Sequence, residues 1–148
     1  MRAKRRRLVF EAVGPLLEPG EPVEVTAIVN LSTVSAARVV ATRAASAAVS
    51  TVLTLGALTT IPRRAPFYLV MTDRRVFVFG TRGANEWPGD LQMTIPRAGL
   101  VRSKVRERLL NSFFVVLSPG GEQGLKIIFP LPHRGARRAM AAALPEVS

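Results

Sequence analysis

Between Ala65 and Gly80 the chain reads A-P-F-Y-L-V-M-T-D-R-R-V-F-V-F-G. Two apolar runs, rich in aromatic and β-branched residues, are separated only by Thr72, Asp73, Arg74 and Arg75. That pattern predicts a β-hairpin, and Asp73, whose carboxylate can bond the backbone two residues on, favours the reversal. One apolar run precedes it at Val23–Leu31. Others follow at Leu91–Ile95, Leu100–Leu109, Phe113–Leu117 and Leu125–Phe129. Turn signals at Glu86-Trp87-Pro88-Gly89-Asp90 and Ser118-Pro119-Gly120-Gly121 separate them. Many short strands joined by Gly/Pro turns predict an antiparallel sandwich or barrel.

Helical spacing marks both ends. In residues 3–17, Leu8, Val9, Val13, Leu16 and Leu17 fall roughly on one face, and Glu18-Pro19-Gly20-Glu21 stops the helix. An Ala- and Arg-rich helix over residues 133–144 closes the chain. Residues 32–62 form an Ala-rich insertion that is uncharged from Ala44 to Pro62. A membrane span needs ~20 predominantly apolar residues. This stretch nearly has the length, but Ser46, Ser50, Thr51, Thr54, Thr59 and Thr60 dilute it. It reads first as a helix or helical hairpin on the domain's own sheet. Interfacial membrane contact, self-association and a true span are the alternatives. Val76–Phe79 is apolar on both faces of a strand, so both must be covered. One face then lines a barrel interior, and the Ala-rich insertion is the expected cover for the other.

Charge adds the next constraint. The 148 residues carry 21 Lys+Arg against 10 Asp+Glu, a net +11. Lys4, Lys104 and Lys126 are the only lysines, so 18 of the 21 bases are arginine, a residue suited to bidentate oxyanions. Genomic base composition would raise Arg and Ala equally. A 48% hydrophobic content fits one globular domain over residues 1–148. The absence of cysteine excludes disulfides and Cys-bearing metal sites and fits a reducing cytoplasm. Met1–Arg7 is basic like the start of a signal peptide, but Glu11 and Pro15 break the apolar run that should follow.

Three segments resemble the bacterial pleckstrin-homology-like (PH-like) family. They are L-E-P-G-E-P-V at Leu17–Val23, V-M-T-D-R-R-V-F-V-F at Val70–Phe79, and Ile95-Pro96-Arg97. The resemblance spans residues 17–144. It implies a mainly β fold with helices: a seven-stranded antiparallel bent barrel, capped by the C-terminal helix, with a binding or scaffolding role and no catalysis. The N-terminal helix and the Ala-rich insertion between strands one and two are additions to that pattern. In eukaryotic relatives the corresponding loop carries phosphoinositide-binding bases. Here only Arg38, Arg43, Arg63 and Arg64 lie near it, in no matching motif, so no lipid-binding residue is carried over.

Enzymatic constellations are sparse. His133 is the only histidine, and its Pro-His-Arg context suits a surface or capping residue better than a base. No paired carboxylates, metal ligands or cofactor motif stand out, and the expectation is no cofactor. The strongest functional signal is V-R-S-K-V-R-E-R-L at Val101–Leu109. As one strand it places Arg102, Lys104, Arg106 and Arg108 on one face, where four like charges draw in an anion. An ordinary solvated face has the same pattern. A helix would scatter the four bases while aligning Val101, Val105 and Leu109. Lys4, Arg5, Arg6 and Arg7 form a second cluster suited to an anionic membrane surface, and Trp87 could insert at an interface or fold back on the domain.

The sequence therefore supports a non-catalytic module that binds an anionic lipid surface or a protein partner. It would be cytoplasmic and peripheral at the inner face of the membrane, with homo-oligomerisation through the insertion as a further option. The alternative is a nucleic-acid-binding basic protein, against which the aromatics in buried-looking runs offer few stacking platforms.

Overall fold

The structure, a computed structural model, describes residues 1–35, 66–118 and 123–147. The Ala-rich segment 44–61 and the Gly120-Gly121 turn lie outside them. The described chain runs α1 (Ala3–Val13), β1 (Val23–Ser35), β2 (Phe67–Thr72), β3 (Arg75–Arg82), β4 (Trp87–Pro96), β5 (Val101–Arg102), β6 (Arg106–Glu107), β7 (Asn111–Leu117), β8 (Gln123–Pro130) and α2 (Arg134–Ala143). Short 3-10 turns at Gly14–Leu16 and Leu131–His133 flank the helices. Helix α1 ends at Val13, earlier than the spacing of leucines suggests, because Pro15 has no N–H to continue it.

All eight strands belong to one antiparallel sheet, in the order β4-β3-β2-β1-β8-β7-β5, with β6 also on β7. Strand β1 is 13 residues long and serves both halves. Val23–Val29 pair with β2 and Asn30–Ser35 with β8. Among the described strands β4 and β5 do not pair, so the sheet bends without closing. The expected seven-stranded barrel is thus an open eight-stranded sheet. The extra strand arises because the single strand expected over residues 100–109 is split into β5 and β6.

The concave face holds the main core, including Val25, Val29, Leu69, Met71, Val76, Val78, Phe114, Val116, Ile127 and Phe129. Helix α2 covers it with Met140 and Ala141, continued by Leu144. The doubly apolar β3 resolves cleanly: Val76 and Val78 point inward, while Phe77 and Phe79 point out. On that outer face Tyr68, Val70, Phe77 and Phe79 are buried beneath Val9 and Val13 of α1. The Ala-rich insertion expected there lies outside the described residues; among these the cover of this face is the N-terminal helix. Its two buried valines, four apart, supply the stripe that packs there.

Trp87, Pro88 and Gly89 are part of β4 and not a loop. A proline is admissible because β4 lies at the sheet edge. The reversal falls earlier, at residues 83–86, where Gly83 and Glu86 take positive φ (75° and 55°).

Candidate functional site

The three segments that carry the family resemblance meet in a structural network. Glu21 from the first segment is enclosed and accepts from Thr72 Oγ1 (2.6 Å), from the Glu18 N–H (2.9 Å), and from Arg75 Nε (3.1 Å) and Nη2. The Arg75 bonds hold the Glu21 carboxyl down at about 2, against the opposing effect of its burial. Thr72 also shapes the hairpin turn, its oxygen accepting from the N–H groups of Arg74 (3.0 Å) and Arg75 (2.9 Å). The turn role expected of Asp73 belongs to Thr72. Arg97, from the third segment, donates to Glu24 Oε1 (2.8 Å), Thr72 O (2.9 Å) and Ala143 O (3.3 Å), tying β1, the hairpin and α2 together. An open hollow beside it is lined by Glu24, Asp73, Arg74, Arg97 and Ala98. Its cations are engaged, Arg74 with Glu18 and Asp73 and Arg97 with Glu24, leaving no surplus charge for an anion.

The basic ladder is rearranged by a slip in register. Arg102 pairs with Val116, whereas Arg106 pairs with Phe113. Residues 103–105 therefore oppose only 114 and 115, and one extra residue reverses the faces. Arg102 shares the core-side face of Val116. There its Nε donates to Ala141 O (2.9 Å) and its Nη1 to Glu146 (3.3 Å), so it fastens the C-terminal segment. Glu107, on the same side as Ser112, accepts from Arg137 Nη2 of α2 (2.7 Å). The four bases do not share one face.

Three remain available. Lys104, Arg106 and Arg108 are exposed, and among the described residues none has an ion-pair partner. Arg106 and Arg108 gather around Phe113 on the outer face, with the Arg108 guanidinium 5.2 Å from the ring centroid. Lys126, across from Val115 on β8, brings its ammonium to 4.2 Å over the same ring. Sequence alone gave no reason to join Lys126 to this group, because only the β7–β8 register brings it there.

In the N-terminal cluster, Arg5 is committed to structure. Its guanidinium donates to Tyr68 Oη (2.7 Å), Glu86 O (2.9 Å) and Asn85 O (2.9 Å), fixing α1 to the β3–β4 turn. Lys4 (5.0 Å) and Arg5 (4.8 Å) both lie over the Trp87 ring, so this tryptophan is held on its own domain. Arg6 lies 5.5 Å over Phe10, and Arg7 is 3.9 Å from Glu11, an exposed pair of little energetic weight. His133 is half-buried in the turn before α2. Burial lowers its pKa, and the positive α-amino group of Met1 adds to that.

No family model matches the chain, and no curated protein matches it. Among solved structures, it is similar to one described as showing a critical structural role for the PH and C1 domains of the Vav1 exchange factor. That match has a TM-score of 0.50 at 12% identity and covers 95% of this chain but only 32% of the other. At that identity the likeness concerns the fold alone. The fold is PH-like.

Proposed function

We propose that this chain is a non-catalytic interaction module that docks on an anionic membrane surface. The observation that supports it best is the group of Arg106, Arg108 and Lys126 around Phe113, with the exposed Lys104 two residues ahead of β6. The one acid among them, Glu107, is neutralised by Arg137. Near a surface rich in anionic lipid each basic residue contributes ~1 kcal/mol, so four give a modest, reversible attraction. The N-terminal bases add to the same field. Such lipids enrich the cytoplasmic leaflet, which places the protein at its inner face. Among the described residues no helix is long and apolar enough to cross a membrane, which accords with a peripheral mode.

Nucleic acid is less well served. Tyr68, Phe77, Phe79 and Phe114 are buried, and Phe113 and Trp87 already carry side-chain cations on their rings. The exposed Phe10 likewise has Arg6 over its ring, so few aromatic platforms are left for stacking bases. Co-sedimentation with phosphatidylserine-containing and with neutral vesicles, over a range of salt, tests the proposal. Binding only to the anionic vesicles, weakening with salt, supports it. Equal binding to both, or binding to neither, contradicts it.

A further inference from the structure

Three residues, Arg108, Leu109 and Leu110, join β6 to β7, and both leucines stand out in water. Leu109 is 86% and Leu110 71% exposed, far above the other large apolar residues described. Leu131, at 48%, lies next to them, its N–H donating to Leu110 O (3.1 Å). Three leucines at one corner of a small domain are costly to leave in water and too few for a stable protein interface. The corner is ringed by cations: Arg106 on β6 and Arg108 just after it precede the leucines, and Arg134 reaches them from α2.

The carbonyls of this corner are also provided with donors. Arg134 Nη2 donates to the carbonyls of Arg108 (2.8 Å) and Leu109 (3.4 Å). The Leu110 carbonyl is taken by Leu131, and Arg108 N–H donates to Asn111 O (2.8 Å). In hydrocarbon an unpaired carbonyl is strongly penalised, and here three successive carbonyls have donors. The same bonds tie down the backbone of the tip, which reduces the ordering entropy lost on insertion.

We infer that the Leu109–Leu110 tip, with Leu131, is an apolar anchor that enters the interfacial layer of a bilayer containing anionic lipid. The surrounding arginines rest at the headgroups. This inference rests on the membrane reading above and adds to it a defined point of entry and a part of the affinity that salt does not screen.

Because the chain has no cysteine, Leu110→Cys provides a single site for an environment-sensitive fluorophore, with Asp90→Cys on the exposed part of β4 as the control. Vesicles of phosphatidylserine and phosphatidylcholine should shift the label at 110 to the blue and brighten it severalfold. A quencher attached to the acyl chains should then dim it, while the label at 90 stays unchanged. In the unlabelled protein, Leu109→Ser with Leu110→Ser should weaken binding at high salt by about tenfold or more. The fold should be unaffected, since both side chains are exposed. Vesicle binding with no change at 110, or unaltered affinity in the double variant, overturns the anchor and leaves the membrane reading standing. Absence of any binding to these vesicles overturns both. A response at 110 that follows protein concentration without lipid assigns the tip to a second copy of the chain and likewise overturns the anchor.

Discussion

The carboxylate of Glu21, its side chain fully enclosed, is gripped by the guanidinium of Arg75, 54 residues further along the chain. The two segments that most resemble PH-like domains are therefore partners in one ion pair, and its role is architectural. It fixes the start of β1 against the β2–β3 turn. Removing one partner of an enclosed pair strands the other. Glu21→Gln and Arg75→Ala should each lower Tm by roughly 10 °C or more. Arg75→Lys should rescue little, because an ammonium cannot reproduce the two-nitrogen grip. Thermal unfolding by circular dichroism reads all three.

The same pair sets an acid limit. The Glu21 carboxyl lies at about 2 in the folded protein against 4.5 ordinarily, so its deprotonated form favours folding. That contribution is complete above pH 4.5 and is lost as pH falls toward 2. The stability gap between wild type and Glu21→Gln, measured by urea unfolding, should be constant near neutrality and narrow through this window. A gap independent of pH between 5 and 2 would remove the ion pair from the account.

Thr72 and Asp73 divide differently from what turn chemistry suggests. Thr72 Oγ1 accepts two backbone N–H bonds and donates to Glu21, whereas Asp73 is exposed and only 3.6 Å from Arg74 Nε. Thr72→Val should therefore cost about 1–3 kcal/mol, the penalty of stranding buried polar groups. Asp73→Ala should stay within about 0.5 kcal/mol.

Phe77 is buried on the convex side of the sheet, and α1 is what buries it. Phe77→Ala should cost about 3–5 kcal/mol, as for other large core truncations. Deleting residues 1–13 should expose Tyr68, Val70, Phe77 and Phe79 as one patch. Dye binding to exposed apolar surface and concentration-dependent association should both rise. A truncated protein that stays monomeric and dye-free would show that another element covers this face.

Much of this was legible from residue patterns. The hairpin and the two-sided burial of β3 follow from composition and alternation. Which of the two apolar pairs in β3 faced inward did not, because a strand apolar on both sides has no amphipathic signal. The split of residues 100–109 was equally silent, since one extra residue in a bulge leaves no trace in hydropathy yet turns Arg102 away from Arg106. Pro88 and Gly89 suggested a loop, and only the edge position of β4 makes them acceptable in a strand. Leu109 ends the strand expected over residues 100–109, and no pattern marks the exposure of the Leu109–Leu110 pair. Its exposure depends on Arg134 and Leu131, more than 20 residues later, holding the tip out.

The central claim is that the cations at the β6–β7 hairpin bind an anionic bilayer. Lys104→Glu together with Arg106→Glu tests it most directly, because both side chains are exposed and unpaired and the reversal should leave the fold intact. The measurement is the partition of wild type and variant onto phosphatidylserine-containing vesicles at physiological salt, where exposed charges act over ~8 Å. The wild type should bind, and the variant should lose at least about tenfold in affinity with unchanged Tm. Equal binding of the two proteins would contradict that claim.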